Sequence, residues 1–438
     1  MAKKRTFIIG LDGVPYRLIQ ELSENGTMPH VRMLMNDGVF RQMESSIPEV
    51  SSVAWASIIT GSNPGTHGIF GFTDLAPGTY KLIFPNFNTI KSDPFWQQDT
   101  TKRRVIINVP TTYPAKELNG VLIAGFVALN LEKATYPASL VPQLKNMDYR
   151  IDIDLQRASK STIFLLEELS RTLQARIAVC RYLWQSEKWD TFMLVFTGTD
   201  RLMHFLWHAY EDEAHPHHAA FMHYFHEVDE AIGEIMRNME QDDSIILLSD
   251  HGFERLDRDV YINLILKQHG LLKFRNEPPS SLEDISEGTK AFALDPARIY
   301  LNLENKYPRG CVKPQEQESV LRELESIFAS LYYNAKKVIK KCYRREEIYK
   351  GQFMHQAPDI VLLGNEGFNL RGSIEAEQAL DNGTLTGKHS QSDAFLLIQG
   401  NSDKIALPEK LRVSDVVDIM NKLHDEPGSS VTGFGLTG

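Results

Sequence analysis

Short apolar runs alternate with stretches of helical period along most of the chain. The runs at residues 6–11, 105–109, 120–124, 191–196, 244–249, 358–363 and 394–398 are rich in Ile, Leu, Val and Phe. Several show no apolar–polar alternation, which is the pattern of a strand covered on both faces. Between residues 161 and 185 the period lengthens, and Ile163, Leu166, Leu169, Leu173, Ile177 and Cys180 fall on one face of a predicted helix. This alternation predicts an α/β fold whose central, mainly parallel sheet is flanked by helices on both faces. The rhythm breaks between residues 276 and 350, where Pro278, Pro279, Ser280 and Ser281 signal a loop, followed by a strand at 298–303 and a helix at 314–331. That stretch reads as an inserted cap subdomain that shapes substrate specificity. The core then comprises residues 1–275 and 351–438, with the strand at 358–363 returning to the main sheet.

A chain of 438 residues, 42% of them hydrophobic, buries a large core. Its formal net charge of -10 argues against a grip on polymeric nucleic acid, which needs a basic face. Cys180, Cys311 and Cys342 are widely spaced and odd in number, so neither a disulfide framework nor a thiolate metal site is indicated, and a reducing compartment fits. The basic start is followed by a single short apolar run that ends at Asp12, which reads as a first strand and not as a secretion signal. No stretch approaches the roughly 18–20 uninterrupted apolar residues that span a bilayer. The expectation is a cytoplasmic protein without a membrane partner, and no pattern specifies an oligomeric state.

Chemically capable side chains gather at the mouths of the apolar runs. Asp12 lies in Gly-Leu-Asp-Gly directly after the first run, and Ser51 and Ser52 precede a helical run closed by Gly61. Asp200 and His204 follow the run at 191–196, Asp250 and His251 follow that at 244–249, and His389 lies in a polar loop before the last run. Each has an ordinary explanation taken alone: an Asp-Gly turn, a serine N-cap, a packed histidine or a solvated loop histidine. Packing does not explain adjacent Asp250 and His251 well, because burying an unpaired charge is costly. The spacing of Asp200 and His204 puts both on one side of a helix. Three of these segments fall at strand ends, where open α/β sheets bind ligands. Asp and neutral His suit a borderline divalent ion such as zinc, and six such groups suit two ions. The crowded histidines His208, His215, His217, His218, His223 and His226 have Glu211, Asp212, Glu213 and Glu227 as neighbours and read as a solvated face. Lys388 is expected to be exposed.

Taken in order, Gly-Leu-Asp-Gly, Ser-Ser-Val-Ala-Trp, the Thr-Gly-Ser-Asn-Pro-Gly-Thr-His-Gly-Ile stretch ending at Ile69, Thr-Asp-Arg with its following His, Ser-Asp-His-Gly-Phe and Gly-Lys-His form one set. The set resembles the type I phosphodiesterase/nucleotide pyrophosphatase family of the alkaline phosphatase superfamily, over essentially the whole chain. The resemblance implies an alkaline phosphatase-like core and two divalent metal ions, Zn2+ by ligand type, with Mn2+ also compatible. One ion would be held by Asp200, His204 and His389. The other would be held by Asp12, Asp250 and His251, with Ser51 on it as the nucleophile. Ser51 takes that place over Ser52 because it lies ten residues before Gly61. His67 matches a family position that is not a ligand and is given a structural role. Family nucleotide pyrophosphatases usually carry Thr at the nucleophile position and Asn three residues on, whereas Ser51 and Ala54 stand there in this chain.

The implied activity is hydrolysis of a small-molecule phosphate ester, a phosphodiester or nucleotide pyrophosphate, by in-line attack of Ser51 through a covalent phosphoseryl intermediate. The same core would also suit a phosphomonoesterase or a phosphosugar mutase. Outside the enzymes, the alternative is a non-catalytic metal-binding relative. A sulfatase is disfavoured because the Ser51 region lacks the Pro and Arg of a Cys/Ser-x-Pro-x-Arg context. Specificity is expected from the cap and from residues 69–88, where Phe70, Phe72, Tyr80, Phe84 and Phe87 can form an apolar wall.

Overall fold

Eight strands build the main sheet in the spatial order Val39–Met43, Ala394–Gln399, Ser244–Leu248, Thr6–Leu11, Thr191–Phe196, Arg104–Val109, Gly120–Ala124 and Thr135–Tyr136. The five from Ser244–Leu248 to Gly120–Ala124 run parallel, and the pairings outside them are antiparallel. The architecture comes from a computed structural model that describes residues 4–400 and 406–424. Residues 1–3 of the basic start and the end of the expected core segment, 425–438, lie outside the described residues.

Every residue of the central strand Thr6–Leu11 is buried, and its alternate side chains serve two separate cores. Phe7, Ile9 and Leu11 pack with the helices Thr162–Ser186 and His218–Asn238, while Ile8 packs with the helices Ser51–Thr60 and Val416–His424. Helices on both faces follow directly from this two-sided burial. The long helix begins where Ser161 accepts a hydrogen bond from the Phe164 amide at 3.3 Å. Its buried stripe runs through Leu165, Leu169, Leu173, Ile177 and Cys180, whereas Ile163, expected on that face, is 66% exposed. Ile163 precedes Leu165 by two positions and so lies about 200° around the helix from it.

All ten residues of the helix Ser51–Thr60 are buried. Trp55 anchors it against the central strand: a Cβ added to Gly10 would come 2.4 Å from the Trp55 ring. Burying an indole of roughly 150–250 Å² contributes on the order of 4–6 kcal/mol. The missing side chain at Gly10 therefore sets how closely this helix approaches the strand, and so where Ser51 stands relative to Asp12. Gly10→Ala is expected to destabilise the protein by about 1–3 kcal/mol through overpacking. Urea unfolding reads this directly, and an unchanged midpoint would mean that the ring yields without cost.

A second sheet, in the order Ala291–Leu294, Arg298–Leu301, Ile360–Gly364 and Ile339–Arg344, is antiparallel throughout. With the helix Gln317–Ala329 it forms its own apolar core. The strand expected at 358–363 belongs to this sheet and not to the main one, so the boundary expected after residue 350 falls between two paired strands. An apolar run records that a strand is covered on both faces, but not which sheet covers it. A third sheet comprises Gly367–Arg371, Gly252–Tyr261, Leu380–Asp381 and Gly387–Ser390. Its long strand Gly252–Tyr261 starts directly after His251. Among the described residues no helix is long and apolar enough to cross a membrane, and the three cysteines are free.

Candidate active site

Three neighbouring parallel strands end side by side and deliver three acidic residues to one edge of the sheet. Asp250 and His251 follow Ser244–Leu248, Asp12 follows Thr6–Leu11, and Asp200 follows Thr191–Phe196. Gly13, at φ 74, turns the chain in the left-handed region that glycine adopts freely, and its amide donates to Asp250 Oδ1 at 3.0 Å. Asp200 and His204 share a face of the helix Gly198–Glu211, with Asp200 Oδ1 3.4 Å from His204 Nε2. His389 sits on the strand Gly387–Ser390, opposite Phe253. Its Nε2 lies 3.1 Å from Asp200 Oδ1 and 3.0 Å from His204 Nε2. Ser51 Oγ completes the group, 3.3 Å from Asp12 Oδ1 and 3.2 Å from His251 Nε2. The structure thus brings all seven residues singled out in the sequence to one place. Ser51 is the first residue of its helix and not a cap, since the N-cap is Val50 with no side-chain bond. Ser52 Oγ is buried without a partner.

The histidines are oriented by backbone carbonyls. His204 Nδ1 donates to Gly387 O at 3.0 Å, His389 Nδ1 to Glu49 O at 2.9 Å and His251 Nδ1 to Gly252 O at 3.0 Å. A carbonyl oxygen can only accept, so each Nδ1 carries the proton and each neutral ring turns an Nε2 lone pair inward. Burial favours the neutral form of all three rings and pushes His251 down to about 4. The lone pairs of His204 and His389 therefore face each other with no proton between them, an arrangement that a cation relieves. Burial also raises the proton affinity of Asp12 and Asp250, and the charge of Asp200 adds to it in both. Asp250 Oδ2 is buried with no hydrogen-bond partner. Ligand atoms of Asp12, Asp250 and His251 lie within 4.8 Å of one another, as do those of Asp200, His251 and His389. Converging carboxylates and imidazole lone pairs fit borderline divalent cations.

Arg201 is the main contributor that the sequence reading passed over. Its guanidinium bridges Asp200 Oδ2 at 2.9 Å and Asp152 Oδ2 at 2.7 Å, and it lies 4.3 Å over the Phe126 ring. Burial draws the Asp200 carboxyl upward, and the permanent charge of Arg201 opposes it, so that the group stays below the usual carboxylate range. With Oδ2 occupied by Arg201, Oδ1 is left to face the histidines. The adjacent Asp-Arg pair was the available signal. Arg201→Met is expected to weaken metal binding about 10–100-fold, the usual effect of losing a ligand's supporting partner. A chelator-competition titration measures it, and unchanged affinity would mean that Asp200 needs no clamp.

Lys388, expected to be exposed, is buried, pairs with Glu254 at 2.7 Å and donates to His389 O at 3.1 Å. His67 is fully buried, with burial pushing it down to about 3. It accepts from the Ile69 amide at 3.2 Å and meets Ser57 Oγ at 3.0 Å. The histidines between 208 and 226 contribute no ligand atom to either candidate cation group. Of the five aromatics expected to form a wall, Phe70, Tyr80 and Phe87 are spent on packing against Tyr349, Tyr307 and Trp96. Phe84 is 71% exposed. Phe72 alone of the five lines a cavity of about 360 Å³ that reaches His204 and His389. A larger cleft of about 680 Å³ shares Glu49 and Lys388 with it but carries none of the seven residues.

The arrangement has relatives among solved structures. Phosphonoacetate hydrolase from Sinorhizobium meliloti 1021, in complex with phosphonoformate, superimposes with a TM-score of 0.63 at 15% identity, covering 96% of this chain and 95% of that one. An inactive murine ectonucleotide pyrophosphatase/phosphodiesterase 5, in complex with AMP, gives a TM-score of 0.56 at 13% identity, covering 99% of this chain and 98% of its own. The human ectonucleotide pyrophosphatase/phosphodiesterase 5 gives 0.56 at 12% identity, with 98% and 97% covered. At these identities the likeness is one of fold. No curated protein matches the sequence. The sequence model of the type I phosphodiesterase/nucleotide pyrophosphatase family matches residues 6–391, and this chain belongs to that family, within the alkaline phosphatase superfamily.

Proposed function

We propose that this chain is a metal-dependent phosphoric ester hydrolase of the phosphodiesterase or nucleotide pyrophosphatase type, with Ser51 as its nucleophile. The observation that carries this reading is the position of Ser51 Oγ between Asp12 Oδ1 and His251 Nε2, at 3.3 and 3.2 Å. Asp12, Asp250 and His251 would hold one divalent cation, and Asp200, His204 and His389 a second, with zinc or manganese favoured by the donor types. Such ions, when bound, lower the pKa of a nearby hydroxyl and neutralise charge on phosphoryl oxygens.

The chain's own groups supply position and direction. The first amides of the Ser51 helix to reach a carbonyl are those of Val53 and Ala54, both on Val50 O at 3.0 Å. The N–H groups of Ser51 and Ser52 precede them without a protein acceptor among the described residues, at the positive end of the helix, and are free for phosphoryl oxygens. That backbone provision suits a chain with Ala54 where family pyrophosphatases place Asn. In the reaction Ser51 Oγ gives its proton to water as an Oγ–P bond forms and the bond from phosphorus to the leaving oxygen breaks, and the leaving group departs with that electron pair and takes up a proton from water. Water then attacks the phosphoseryl phosphorus and restores the Ser51 hydroxyl.

Acid quenching during turnover, followed by peptide mass spectrometry, is expected to find on the peptide carrying Ser51 an increment equal to the phosphoryl group plus the ester substituent that the substrate retains, and to localise it there. Phosphate on Ser52, or turnover with no trapped species on either serine, would remove Ser51 from its role. Bis(p-nitrophenyl) phosphate and p-nitrophenyl phosphate, assayed side by side, separate a diesterase from a monoesterase.

A further inference from the structure

The cavity that reaches His204 and His389 is also lined by Thr73, Asp295, Asn369 and Arg371. These four come from separate parts of the chain. On the strand Gly367–Arg371, Phe368 and Leu370 are buried, and Asn369 and Arg371 alternate to the opposite face. Asp295 lies in the turn between the cap strands Ala291–Leu294 and Arg298–Leu301. Arg298, itself fully buried, fastens that turn to Thr73: its Nε donates to Asp295 O at 2.8 Å and its Nη2 to Thr73 O at 2.7 Å and Thr73 Oγ1 at 3.3 Å. The polar lining is therefore held in place before any ligand arrives.

Each of the four keeps hydrogen-bonding capacity in reserve. Thr73 Oγ1 accepts from Arg298, and its own proton is unused. Asn369 gives its amide nitrogen to Asp259 Oδ1 at 2.5 Å, which leaves its Oδ1. Asp295 Oδ1 accepts from the Gly372 amide at 2.6 Å, which leaves Oδ2. Arg371 makes no hydrogen bond among the described residues; its Nε is buried without a partner, 3.8 Å from Asp295 Oδ1. Two free donors thus stand beside two free acceptors, and the opposite charges of Arg371 and Asp295 offset each other. An anionic group entering here would meet the Asp295 carboxylate, and a plain hydrocarbon would leave all four groups unpaired. A hydroxyl both donates and accepts, so it matches the two kinds at once. Phe72 and Leu385 add apolar surface of the sort that covers the C–H face of a ring or short chain bearing such hydroxyls.

We propose that this cavity selects phosphate esters whose organic part is a hydroxyl-rich polyol or sugar. The inference rests on the phosphoester reading only in placing the phosphoryl group at the His204 and His389 end. Metal-loaded Ser51→Ala protein, titrated by calorimetry with glycerol phosphate against propyl phosphate and glucose phosphate against cyclohexylmethyl phosphate, each as the monoester and the methyl diester, tests it. The hydroxylated member of each pair is expected to bind at least about 30-fold tighter, because the alkyl analogue strands polar groups of the site. Asp295→Ala and Arg371→Met should reduce that ratio to below about 3-fold with little change in melting temperature. Thermal shifts of the unaltered protein with the matching phosphonates give the same comparison independently of the Ser51 substitution.

Equal affinity within the pairs, preference for the alkyl member, tighter binding of glycerol bisphosphate than of glycerol phosphate, or no binding of either member would overturn the proposal. Turnover of the same monoesters and methyl diesters by the unaltered protein is read separately. A hydroxyl preference without turnover would sink the hydrolase reading and leave this one standing, and turnover without the preference would do the reverse.

Discussion

Ser51→Ala is expected to reduce kcat/KM for the phosphate ester by about 10⁴-fold or more, equivalent to about 5.5 kcal/mol of transition-state stabilisation. The substitution removes one oxygen, which makes only long contacts at 3.2 and 3.3 Å, and it leaves all six carboxylate and imidazole groups in place. Metal content by elemental analysis and the melting temperature should therefore stay close to those of the unaltered protein. Ser52→Ala is the internal control. Its hydroxyl is buried without a partner, so its removal relieves an unsatisfied polar group, and turnover should hold within about 3-fold. Near-normal turnover by folded, metal-loaded Ser51→Ala protein would end the case for covalent catalysis at this serine.

The parts of this molecule that could be read from its sequence are those in which a side chain announces its own environment. Thr6–Leu11, Thr191–Phe196 and Ser244–Leu248 are continuous apolar runs because both faces of the central sheet are covered. The carboxyl ends of such strands are where a charged residue such as Asp12 or Asp250 can be tolerated only with a purpose. The edge strand Val39–Met43 was not legible, since its half-buried Val-Phe-Arg-Gln-Met carries no continuous apolar signal. Ile360–Gly364 was legible as a strand but not as a member of the second sheet, because periodicity encodes burial and not the identity of the partner. Within the site, the carbonyls of Glu49, Gly252 and Gly387 that fix the imidazole tautomers are backbone atoms and leave no trace in residue identity. Lys388 shows the opposite failure. A lysine is ordinarily solvated, and only the tertiary approach of Glu254 makes its burial tolerable.

Chelation is expected to produce the largest change in stability. An ion present at a thousand times its dissociation constant stabilises the folded state by about 4 kcal/mol, so the two proposed ions would add about 8 kcal/mol. In a chain of this size their removal should lower the melting temperature by about 10 °C. The reason lies in the balance of charge. Asp200 keeps a permanent partner in Arg201 at 2.9 Å. Asp12 and Asp250 have no comparable cation, and burial raises the proton affinity of both. Asp250→Asn then gives a test of sign: it should destabilise the metal-loaded protein by weakening a ligand set, yet stabilise the chelated protein by removing a buried charge whose Oδ2 has no partner. Scanning calorimetry of both proteins with and without chelator measures the crossing. A substitution that costs the same stability in both states would show that the Asp250 carboxylate is held by the protein alone and that no cation completes it.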